Sequence, residues 1–110
     1  MAEFSEYRFM WILVMFDLPM DDKIARRRYT QFRKCLLKNG FSKMQYSVYI
    51  RHAASKENAE AHAKRVEKAV PEDGHVRTLM VTEAQLKRMQ IFWGKRRLAA
   101  EDAPQQLMLF

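Results

Sequence analysis

Residues 9–16, FMWILVMF, are eight consecutive apolar positions, and Asp17, Leu18 and Pro19 follow them. Eight residues is short for a helix and suits a strand buried on both faces, which Asp-Leu-Pro then closes. A helix should open at Met20 or Asp21, because Ala25, Tyr29, Phe32 and Leu36 recur at i, i+4, i+7 and i+11 as one apolar stripe. Gly40 stands where a left-handed residue is wanted after the last turn. In Phe41–His52 the alternation of Met44, Tyr46, Val48 and Ile50 predicts a strand, or two short strands with a kink between them.

Ser55 is placed to cap a second helix with the stripe Ala59, Ala63, Val66 and Val70, and Pro71 stops it. Asp73-Gly74 reads as a turn and His75–Thr82 as a strand. Thr82-Glu83-Ala84-Gln85 has the form of a capping box for a helix of about two turns. Gln90–Trp93 reads as one more short strand, ended by Gly94, before Lys95-Arg96-Arg97 and a polar segment. Two helices crossing over between buried strands predict an α+β, ferredoxin-like βαββαβ sandwich with an extra C-terminal strand. The expected boundaries are residues 1–98 for this domain and 99–110 for a tail. Both helices would pack on one face, leaving the other for a second copy: a homodimer through the sheet face.

Composition narrows the function. With 110 residues the chain is one domain by length, and 48% hydrophobic residues suffice for a core. One cysteine, Cys35, excludes an intrachain disulfide and any cysteine-cluster metal site. No stretch reaches the roughly 18–20 apolar residues of a membrane span. The opening MAEFSEYRFM has two glutamates ahead of the apolar run, unlike a signal peptide, so a cytoplasmic location is expected. The formal net charge is +7, which favours a polyanionic partner. Between Lys23 and Lys43 eight cations (Lys23, Arg26, Arg27, Arg28, Arg33, Lys34, Lys38, Lys43) stand against Asp21 and Asp22 alone. An unmixed basic helix face repels itself unless something anionic binds it, so phosphate contact is favoured over a merely solvated face.

Asp17 is the first candidate for chemistry. It could cap the next helix or solvate a strand end, but Asp21 and Asp22 are better placed for that. Magnesium takes one or two carboxylates, with waters and phosphates completing its shell. A two-fold axis could bring two Asp17 side chains to one ion, where the metal would activate water. His52, His62 and His75 have spacings that build no metal site, and His62 reads as solvated on a polar helix face. The apolar end Leu107-Met108-Leu109-Phe110 either tucks against its own core or adds as a strand to a partner's sheet.

Three stretches together, LVMFDLP, ARRRYTQFRKCLLKNG and GFSKMQYSVYIR, resemble the CRISPR-associated Cas-two family, the small partner of the integrase that inserts new spacers; TEAQLKRMQIFWG extends the likeness. The arginine run and the apolar tail look most like type II members. The resemblance implies a ferredoxin-like homodimer with Asp17 as catalytic residue and magnesium ligand at the interface, one ion being shared by two copies. It also implies a metal-dependent endonuclease on single-stranded RNA or duplex DNA, and a scaffold that binds duplex DNA and bridges integrase dimers. Arg26, Arg27, Arg33, Lys34, Lys38 and Lys43 would meet the nucleic acid, and Leu107, Met108, Leu109 and Phe110 the integrase. Ser47 and Tyr49 match the second-strand motif, while Phe16 replaces a frequent tyrosine. A toxin-like metal-dependent ribonuclease of the same fold is the alternative. An RNA-recognition module is disfavoured because its base-stacking motif is missing.

Overall fold

The computed structural model describes residues 9–98. The elements are β1 (Met10–Asp17), α1 (Lys23–Lys38), β2 (Ser42–Gln45), β3 (Val48–Ala53), α2 (Lys56–Ala69), β4 (His75–Thr82), α3 (Glu83–Lys87), β5 (Ile91–Trp93) and β6 (Arg96–Leu98). Four strands form an antiparallel sheet in the order β2-β3-β1-β4, and β5 and β6 form a separate two-stranded ribbon. The arrangement is the ferredoxin-like βαββαβ order, with a C-terminal hairpin where the sequence predicted a single strand. The predicted Leu107–Phe110 docking segment and the 99–110 tail lie outside the described residues.

β1 is central because it has the side chains for it. It pairs with β3 from Met10↔Ala53 to Met15↔Val48 and with β4 from Met10↔Thr82 to Asp17↔His75. Strand side chains alternate between faces, and the alternation sorts β1 into two cores. Met10, Ile12, Val14 and Phe16 join Phe32 and Leu36 of α1, Ala59 and Val66 of α2, and Tyr49 and Ala53 of β3. Leu13 joins Met44, Ile50 and Leu86 on the other face, with Trp11, Val48, Val81 and Met89 packed around them.

That second face differs from the expectation of a bare surface. The chain covers half of it with α3, whose Leu86 is buried. The capping box predicted at Thr82 is formed: Gln85 N–H donates to Thr82 Oγ1 (3.1 Å) and Thr82 N–H to Gln85 Oε1 (2.8 Å). Trp11 Nε1–H also donates to Glu83, tying the helix to β1. Among the described residues that cover stops at Leu13: its cross-strand partner Leu79 is 50% exposed.

The helix caps follow local chemistry. Asp22 accepts from Ala25 N–H (2.8 Å) to start α1, and Ser55 accepts from Asn58 N–H (3.0 Å) to start α2. The predicted stripe of α2 needs correction, however. Ala59, His62 and Val66 are its buried residues, while Ala63 is half-buried and Val70 exposed. His62, read from sequence as solvated, is 5% exposed.

Candidate metal centre and nucleic-acid surface

Asp17 ends β1 one residue beyond Phe16, whose ring is buried among Tyr29, Phe32 and Tyr49. By the pleat, Asp17 therefore belongs to the face opposite the large helices, at the end that α3 leaves open. Its carboxylate is exposed at the rim.

Three local features fix that rim. Phe16 N–H donates to Ser47 C=O (3.0 Å), so the β2–β3 loop clamps the end of β1. Ser47 has φ 62°, the one positive φ at a non-glycine residue among the described residues. Such a conformation costs energy and persists where surrounding structure enforces it. From the other side Gly74 (φ +97°) presses on the strand end. A Cβ there would stand 2.8 Å from Asp17 O and 2.7 Å from Leu18 Cδ2, so the turn needs glycine for space as well as for conformation.

His75 and Arg77 complete the neighbourhood. His75 is the cross-strand partner of Asp17, and Arg77, opposite Met15, is its diagonal neighbour; both are exposed. Direct antiparallel partners have Cβ atoms about 4.5–5.5 Å apart. The β1–β4 register that unites Asp17 with His75 joins positions too far apart in sequence for local spacing to reveal. Among the described residues no group of three or more His, Cys, Asp or Glu could hold a metal. Asp17 by itself is thus short of a magnesium site, and its hard carboxylate oxygens suit one if a second copy adds its own.

The basic residues form a separate surface. Lys23, Arg26, Arg27, Arg33, Lys34 and Lys38 of α1 are all exposed. From Lys23 to Lys38 the helix extends about 22 Å at 1.5 Å per residue. Arg26 donates to Met20 C=O (3.3 Å) at the N-terminal end. Arg33 Nε–H donates to Tyr49 OH (2.9 Å), which aims its guanidinium across the buried ring. Arg28, half-buried, is drawn instead into an ion pair with Asp73 (3.3 Å). Lys43 is on β2, its Nζ 5.8 Å from the centre of the Tyr46 ring. Thus the fold gathers the α1 cations on the helix side, whereas Asp17 is on the opposite side at the rim.

A second basic group, unseen in the sequence, is internal. His62 Nδ1 is 3.0 Å from Arg65 Nη1. Since a guanidinium can only donate, Nδ1 accepts, and the imidazole is neutral with its proton on Nε2. Arg51 packs nearby and donates to Asn39 C=O at the end of α1. Burial, first, and the charges of Arg51 and Arg65 lower the His62 pKa. Arg51 Nε and His62 Nε2 are buried without hydrogen-bond partners.

Residues 10–89 match the sequence model of the family described as CRISPR associated protein Cas2. The chain belongs to the Cas2 family. A relative from Parvibaculum lavamentivorans, named CRISPR-associated endoribonuclease Cas2, is 52% identical over 101 residues, covering 92% of this chain and all of that one. One of the same name from Flavobacterium psychrophilum is 44% identical over 106 residues, covering 96% and 92%. A crystal structure of Cas2 superposes with a TM-score of 0.55 at 21% identity, covering 81% of this chain and 90% of that one. That likeness shows the fold. No helix among the described residues is long and apolar enough to cross a membrane.

Proposed function

We propose that this Cas2-family chain is an endoribonuclease of CRISPR adaptation that works as a homodimer around Asp17 and also serves as a DNA-binding scaffold. The observation carrying the reading is the position of Asp17: an exposed carboxylate at a clamped strand end, beside the part of the sheet face that the described residues leave uncovered. A second copy seated on that half-face would bury Leu79 and bring two Asp17 carboxylates towards one magnesium ion. Magnesium bound there would supply an activated water and stabilise charge on the scissile phosphate. The curated relatives named as endoribonucleases support cleavage of RNA.

The chain's own residues divide the remaining work. Ser47 and Gly74 hold the Asp17 backbone so that the carboxylate meets its partner copy in a fixed direction. Arg26, Arg27, Arg33, Lys34 and Lys38 present a strip of about 18 Å, the axial length of about five phosphates of one DNA strand at about 3.4 Å of duplex axis each. Lys43 adds a cation on β2. In the scaffold role this strip carries duplex DNA, and the 99–110 tail, through Leu107, Met108, Leu109 and Phe110, docks the integrase beyond the domain of residues 1–98. The arginine run and that tail favour a type II system.

Asp17→Ala tests the reading directly. It should abolish magnesium-dependent cleavage of single-stranded RNA while leaving duplex-DNA affinity unchanged; undiminished cleavage would remove Asp17 from the chemistry. Spacer integration with the cognate integrase separates the two roles, since integration that survives Asp17→Ala assigns integration to the scaffold alone. Truncation after Pro104 should leave the dimer intact and end integrase association in a pull-down. Persistent association would place the docking site elsewhere.

A further inference from the structure

Tyr46, in the β2–β3 loop, belongs neither to a core nor to the basic strip of α1. The β1–β3 ladder ends at Met15↔Val48, and Phe16 N–H still donates to Ser47 C=O. One further step of that register brings Tyr46 opposite Asp17, and Ser47, at φ 62°, turns the chain there. The Tyr46 hydroxyl donates to Met20 Sδ (3.7 Å), and Tyr29 stands close enough to act on it. Lys43 Nζ is 5.8 Å from the ring centre, within cation–π range of one face. The residue is 66% exposed, which leaves the other face open. A second cation shares the anchor: Arg26 donates to Met20 C=O (3.3 Å). The acids nearest in sequence are engaged elsewhere. Asp22 caps α1, and Asp21 and Asp22 line a cavity with Leu18, Pro19, Arg28 and Asp73.

We propose that the Tyr46 ring is the stacking platform for one unpaired base of a single-stranded RNA whose backbone passes Asp17, with Lys43 and Arg26 as contacts to the flanking phosphates. The proposal rests on the endoribonuclease reading above and deepens it by adding a base subsite beside the carboxylate. Proteins that hold single strands combine cations for the backbone with aromatic faces for the bases, because every base offers a π-face whatever its sequence. The tether at the hydroxyl holds the ring before a ligand arrives, so little side-chain freedom is lost on stacking. Such a face is blind to sequence but not to pairing, since a duplex keeps its bases stacked on one another. The subsite therefore gives the site a preference for unpaired segments.

The test mixes the full chain with a single-stranded RNA carrying 5-bromouridine, in EDTA so that the strand stays uncut. After irradiation and digestion, peptide mapping should place the cross-link on Tyr46. In titrations without irradiation, Tyr46→Ala should weaken RNA binding about tenfold. Tyr46→Phe should keep most of the affinity, and a blunt DNA duplex should bind parent and variants alike. Cross-links confined to other residues, with equal RNA affinity in Tyr46→Ala, would overturn the proposal. An equal loss on RNA and duplex would do so too, since the ring would then only prop the two cations. A shift from dimer to monomer in sedimentation of Tyr46→Ala would also overturn it, making the ring a contact between copies. Parent protein that binds no RNA would instead refute the endoribonuclease reading itself.

Discussion

The two faces of the sheet share the same strands and meet opposite fates. Towards α1 and α2, β1 sends Met10, Ile12, Val14 and Phe16 into a core closed by aromatic and aliphatic side chains from both helices. Towards the other side it sends Trp11, Leu13, Met15 and then Asp17, and one five-residue helix covers only the Trp11–Leu13 end. The helix-covered face supplies stability, and the half-covered face retains the surface that a partner or a substrate can use. Small domains bury a smaller share of their surface than large ones, and here the part of the sheet that the described residues leave uncovered is where the exposed carboxylate stands.

That contrast can be broken or sharpened by substitution. The largest effect belongs to the closed face: Phe32→Ala, at a residue 2% exposed, should cost about 3–5 kcal/mol in denaturant unfolding. A loss under about 1 kcal/mol would mean that the helix packing is looser than described. Next is the rim. Gly74→Ala must adopt a strained φ and meet the Asp17 backbone, for a cost of about 1–3 kcal/mol; wild-type stability in that variant would show that the turn gives way.

The buried imidazole gives a pH dependence. The His62 pKa is lowered in the folded chain, through burial and then the charges of Arg51 and Arg65, so the unfolded chain binds the extra proton more readily. The stability that His62 contributes is therefore fully present above its unfolded pKa of about 6.5 and is lost as the pH falls through the folded value. His62→Gln should flatten the stability profile below about pH 6.5; an unchanged slope would assign the acid sensitivity to other groups. The smallest effect belongs to the open face. Leu79→Ser should change monomer stability by no more than about 0.5 kcal/mol yet weaken self-association in sedimentation. Unaltered association would move the dimer contact off this half-face.

Much of this was legible in the sequence, because its signals were local. The apolar run of β1, the Ser55 cap, the Asp73-Gly74 turn and the Thr82 capping box each act within a few residues, and each is where the pattern placed it. The kink expected between residues 41 and 52 is the irregular register between Lys43 and Gln45 followed by Ser47. What escaped depends on distant partners. His62 looks polar but is buried, with Arg65 on its ring nitrogen and the charge of Arg51, from another element, close enough to act on it. β6 is a run of basic residues that becomes a strand only by pairing back across Gly94. The exposed carboxylate of Asp17 was foreseeable from Asp-Leu-Pro, whereas His75 and Arg77 reach it only through the β1–β4 register.

The central place of β1 also has a consequence for biosynthesis. Its two neighbours are β3 and β4, and its pairing with β4 runs as far as Thr82. At about 5–20 residues per second, the ribosome needs roughly 3–13 s to travel from Asp17 to Thr82. Throughout that interval an eight-residue apolar strand waits for its second neighbour, in the form most prone to pair with another nascent chain. Asp17 and Pro19, directly after the run, are the charge and the ring that interrupt such pairing. The residues that shape the rim of the folded site thus also guard the strand before it has folded.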